Sequence, residues 1–108
     1  VNGLRIKTIA GETGLVTRVT YTKNVLTNVQ NAIVLHADYD KAKGAYSGSA
    51  SSDVAIKGLT IAGLSGTATN LYDILVNPSV VSGWSFSGIT VSVTNKGSCK
   101  GEPSGITC

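Results

Sequence analysis

The chain has 108 residues, enough for one compact unit, a net charge of +3 and only 14% charged residues. Thirteen glycines, frequent Ser, Thr, Val and Ile, no Met and a single Trp favour strands joined by tight turns. The mild basicity suits an acidic partner, but the basic residues are unclustered and not interleaved with aromatics, which argues against a nucleic-acid surface, and no segment approaches the ~18 apolar residues of a membrane span.

The first predicted strand runs from Leu4 to Ile9. Strand alternation puts Arg5 and Lys7 on one face and Leu4 and Ile6 on the other. Two adjacent fixed cations on an apolar-backed strand suit an anion with regularly spaced carboxylates. Arginine offers a planar two-pronged donor, and lysine a compact point charge. The alternative is that the pair only keeps an exposed strand soluble. The start has neither an initiator Met nor the charged and apolar regions of a signal peptide, so it reads as a processed chain or a portion of one.

Gly11-Glu12-Thr13-Gly14 is a turn, followed by strands at Val16 to Thr22 and Asn31 to His36. His36, the only histidine, sits between Leu35 and Ala37 and reads as a half-buried strand residue, not a ligand or base. Asp38 and Asp40 flank Tyr39 and precede Lys41 and Lys43. A solvated turn is expected there, and such a turn does not split the pKa values of two carboxyls as acid–base catalysis requires. The stretch from Lys43 to Gly48 is turn-rich, and strands follow at Val54 to Leu64 and Leu71 to Val76. Asn77-Pro78-Ser79 is a further turn, and its proline excludes a glycosylation sequon. Within the last strand, Trp84 to Val93, Trp84 and Phe86 read as core or end-cap packing. Cys99 and Cys108, with eight residues between them including Gly101 and Pro103, read as a small disulfide loop and hence an oxidising compartment. A metal pair there lacks two further ligands.

Three segments look like copies of one unit: Val16 to Thr22, Ala55 to Ile61 and Ser85 to Val91, each with an apolar residue, then Thr, then a β-former. Short strands in a period, with glycine at corners, predict a solenoid of stacked parallel coils. An antiparallel sandwich is the rival, disfavoured by the scarcity of two-residue hairpin turns.

The run Asn2-Gly3-Leu4-Arg5-Ile6-Lys7-Thr8-Ile9 resembles the R-I-K signature of polygalacturonases, glycoside hydrolase family 28. Glu12-Thr13-Gly14, Val19-Thr20-Tyr21, Ile33-Val34 and Asp38-Tyr39 follow in the family's order, and Trp84 to Ile89 resembles its W-x-W-S-G segment. The resemblance covers nearly the whole chain and is endopolygalacturonase-like. It implies an all-β fold, a right-handed parallel β-helix, and inverting hydrolysis of α-1,4 galacturonan. It also implies that Arg5 and Lys7 grip galacturonate carboxylates, that Tyr39 contacts the sugar, and that Cys99 and Cys108 form the closing disulfide. The chain departs from the family pattern in three places. The segment before Asp38-Tyr39 is one residue short, a cysteine pair near Leu75 to Val81 is missing, and Phe86 replaces the second Trp.

The family's acid and base come from N-T-D and D-D motifs, with a G-H-G histidine nearby, and none of these occurs here. The chain is therefore expected to be the C-terminal portion, residues 1–108, of a single pectinase β-helix domain that is secreted and monomeric as the full enzyme. It is expected to carry substrate-binding but no catalytic residues, to bind pectin, and to need no cofactor or metal. Alone it should be inactive and poorly folded, because a solenoid cut between coils exposes its interior. The alternative reading is a non-catalytic β-solenoid module that binds acidic polysaccharide.

Overall fold

The computed structural model describes residues 2–103 and 106. The described residues are strands and turns: β1 (Asn2–Ile9), β2 (Thr13–Thr17), β3 (Thr20–Asp40), β4 (Ala45–Tyr46), β5 (Asp53–Lys57), β6 (Thr60–Leu75), β7 (Val81–Ser82) and β8 (Ser85–Lys100). One sheet has the order β1-β3-β6-β8, with β4 added to β3, and a second has the order β2-β5-β7. Every pairing is parallel except β3 with β4. The chain thus winds from sheet to sheet and stacks each coil on the last. This is a parallel β-helix, and it excludes the antiparallel sandwich.

Inward side chains stack in rows along the helix axis. Ile6, Leu35, Ile74 and Cys99 form one such row, Tyr21, Ile61 and Phe86 another, and Val16, Ile56 and Val81 a third from the second sheet. These rows converge on one continuous core whose centre includes Ile33, Leu59, Ile61 and Leu64. Half-buried Cys99 packs against it, while the expected bridge to Cys108 lies outside the described residues. An asparagine row runs beside the apolar ones. The Asn31 side-chain amide donates to Asn2 Oδ1 at 3.3 Å, Asn70 donates to Asn31 Oδ1 at 3.0 Å, and Asn95 stands next in register.

The corners explain the repeat and correct its third copy. Arg18 turns through a left-handed conformation (φ 55°), and Gly58 (73°) and Gly83 (66°) repeat it above. A second such column is Lys23, Gly63 and Gly88. Left-handed backbone is cheapest for glycine, so stacked corners draw glycine into the same position of successive coils. Each corner of the first column is followed by an inward residue, a hydroxyl residue and another inward residue: Val19-Thr20-Tyr21, Leu59-Thr60-Ile61 and Trp84-Ser85-Phe86. The third copy is therefore Trp84 to Phe86 and not Ile89 to Val91. The local match of Ile-Thr-Val to Leu-Thr-Ile lies five residues out of register, because Ile89 pairs with Leu64.

Candidate functional site

The site grows from one stretch of β1. Leu4 is buried and Ile6 half-buried on the inner face, so the pleat turns Arg5 and Lys7 outward, where both are exposed. Their side chains leave one strand about 6.5–7 Å apart. Arg5 Nη2 donates to the Tyr46 hydroxyl at 2.8 Å, and the guanidinium carbon lies 5.8 Å from the centre of that ring. Lys7 Nζ stands 4.0 Å from the Tyr39 ring centre, a cation–π distance. Tyr39 is half-buried at the end of β3 and meets Tyr46 edge-on with centres 6.2 Å apart. The structure therefore brings Arg5, Lys7 and Tyr39 to one face, while Cys99 lies three strands away on β8 and points inward.

Beside the cations sits a network that the sequence did not reveal. Register places His36 next to Lys7, and Val34 between Arg5 and Asp73. His36 Nδ1 is 2.7 Å from Asp38 Oδ1, and its Nε2 is 2.8 Å from Asp73 Oδ1 on the neighbouring strand. A neutral imidazole has one N–H and satisfies one of these carboxylates; the imidazolium satisfies both. His36 is 7% exposed and Asp38 only 1%. The reading of His36 as half-buried and of Asp38 as part of a wet turn is corrected here. From Ala32 to Asp38 every residue is buried, because the interior covers one face of β3 and the segment after it folds back over the other. Asp38 anchors that segment: its Oδ2 accepts the Gly48 N–H at 2.7 Å, and its carbonyl accepts the Ser47 N–H at 2.7 Å. Asp40 does lie in a turn, where Oδ1 accepts the Ala42 and Lys43 amides at 2.9 and 3.3 Å.

Two further features belong to packing. Trp84 is buried and its Nε1–H donates to the Ile56 carbonyl at 3.1 Å. Phe86 stacks between Trp84 and Tyr72, with ring centres 6.2 and 6.3 Å away. Sequence reasoning missed Tyr46 and Asp73 altogether. The i, i+2 spacing of His36 and Asp38 was a usable signal, since it puts them on one face of a strand. Asp73 becomes a neighbour only through a pairing 39 residues long (Val34 with Asp73).

Chemically, the face offers two outward cations beside aromatic rings, and a histidine held at both nitrogens. It suits recognition of an extended anion with ring-shaped units. It does not offer two free carboxyls facing a common space, since Asp38 is buried and already bonded.

Comparison with known proteins agrees with this architecture. The model of the glycosyl hydrolases family 28 matches residues 1–108. The chain is 39% identical over 113 residues to a probable endopolygalacturonase I of Aspergillus flavus, covering 99% of this chain and 30% of that protein. It is 38% identical to a polygalacturonase of Cochliobolus carbonum, again over 99% of this chain and 30% of the relative. It is 39% identical to endopolygalacturonase 1 of Colletotrichum lindemuthianum, over 96% of this chain and 29% of the relative. The chain thus spans about 30% of the length of the curated relatives it matches. With a stacked parallel coil, a family match over its whole length and these relatives, the chain belongs to the glycosyl hydrolases of family 28.

Proposed function

We propose that this chain is the C-terminal portion of a secreted endopolygalacturonase. In it, Arg5, Lys7 and Tyr39 bind galacturonate units of α-1,4 galacturonan. The single observation that carries this reading is the pair of exposed cations on one face of β1, flanked by Tyr39, in a chain of this family. The guanidinium takes a carboxylate through two N–H groups, the ammonium takes another, and the Tyr39 ring borders the sugar between them.

Hydrolysis with inversion needs one carboxylic acid to protonate the leaving oxygen and one carboxylate to activate water, standing ~6.5–9.5 Å apart. In this reading both come from the part of the enzyme beyond these 108 residues. The relatives' greater length supports that assignment. Arg5 and Lys7 then orient the polyanion so that its scissile bond lies between the acid and the base.

The test is Arg5→Ala and Lys7→Ala in the full-length enzyme, assayed on polygalacturonate. A charge-assisted contact is worth ~1.5–3 kcal/mol, so each change should lower kcat/KM by about tenfold to a hundredfold. Kinetics equal to the unsubstituted enzyme would refute the role.

A further inference from the structure

The coil that carries Tyr46 is longer than its successor. Pairing of Thr20 with Thr60 makes it 40 residues, whereas pairing of Thr60 with Ser85 makes the next 25. The extra length falls between His36 and Asp53, where the chain leaves β3, turns at Asp40 and returns as β4. That detour places Tyr46 over the outer face of the sheet. Its ring stacks on His36 with centres 3.9 Å apart and planes 20° apart, and meets Tyr39 edge-on. Its hydroxyl accepts the Arg5 Nη2 proton at 2.8 Å.

Each contact rests on a fixed partner. His36 is held at both ring nitrogens by Asp38 and Asp73. The strand β4 is held by its pairing with Tyr39 and Asp40, and the chain just after it by Asp38. Tyr46 is still 37% exposed, so its outer edge reaches solvent beside Arg5.

We propose that Tyr46 is the positioning residue for Arg5, fixing its guanidinium to receive a galacturonate carboxylate. This rests on the reading that Arg5 binds substrate. An exposed arginine samples many rotamers and loses that freedom when it binds a ligand. A hydrogen bond already made in the free protein removes much of the loss. Only one of the guanidinium's protons is used on Tyr46, so its remaining donors stay available for a two-pronged contact. The chain of support runs from the two aspartates through His36 and the Tyr46 ring to Arg5.

Tyr46→Phe keeps the ring and the stack and removes only the hydroxyl. In the full-length enzyme on polygalacturonate it should raise KM about threefold to tenfold and leave kcat within about twofold, with an unchanged unfolding midpoint. Combined with Arg5→Ala, Tyr46→Phe should add nothing, because its effect passes through the guanidinium. If Arg5→Ala impairs the enzyme while Tyr46→Phe has the original KM, or if the two changes multiply, Tyr46 does not position Arg5 and the carboxylate-binding reading stands. If Arg5→Ala itself changes nothing, both fall.

Discussion

Asp38→Asn is nearly isosteric, yet it should destabilise the fold strongly. Both carboxylate oxygens of Asp38 are engaged, one by the His36 ring at 2.7 Å and the other by the Gly48 amide at 2.7 Å, and the side chain is 1% exposed. An asparagine has one oxygen and one NH2 group. With its oxygen turned to Gly48 it presents NH2 to His36, which accepts that proton at Nδ1 only when the ring carries its own proton on Nε2, toward Asp73. The substitution removes a charge-assisted bond worth ~1.5–3 kcal/mol and confines His36 to that one tautomer. His36 keeps Asp73, so a net cost of about 1.5–3 kcal/mol is expected. The assay is denaturant unfolding of the full-length protein. Asp40→Asn serves as the control, because its carboxylate only closes an exposed turn and Asn supports the same turn. The control should cost less than ~1 kcal/mol. Equal midpoints for the two variants would show that Asp38 is not the anchor described here.

Two further outcomes follow from the coil. Gly97→Ala puts a Cβ 1.8 Å from the Tyr72 carbonyl oxygen at a residue with φ of 81°, so β8 must shift, and a loss above ~2 kcal/mol is expected in the same unfolding measurement. A near-neutral result would mean that β8 does not lie against β6 as described. Burial raises the Tyr72 hydroxyl pKa above its ordinary 10.0 by disfavouring the phenolate. The unfolded chain therefore ionises first as pH rises past that value, and stability fully present below it is lost as pH climbs toward the folded-state value. Between about pH 9 and about pH 11, Tyr72→Phe should lose less stability than the unsubstituted protein. Parallel loss in both would place that hydroxyl in water.

The all-strand class, the solenoid and the face shared by Arg5 and Lys7 were legible without a structure. They depend on strand alternation, glycine at left-handed corners and the absence of helical periodicity, all local properties. The repeat was also legible, but its third copy was misplaced. Ile89-Thr90-Val91 imitates the pattern locally, and only stacking of Gly83 on Gly58 shows where the coil turns.

The amino-acid order by itself thus determined how each strand divides its side chains between core and outer face. It also carried the family signature around Arg5 and Lys7. What surrounds those cations was decided by tertiary structure. Tyr46 reaches Arg5 from 41 residues away and Asp73 reaches His36 from 37. Asp38, in a polar stretch that reads as a solvated turn, is buried because the following hairpin covers it. Alternation is fixed by bonds between neighbours in the chain. Adjacency between coils depends on coil length, a sum over a whole turn of the helix, and one inserted hairpin changes which residues meet.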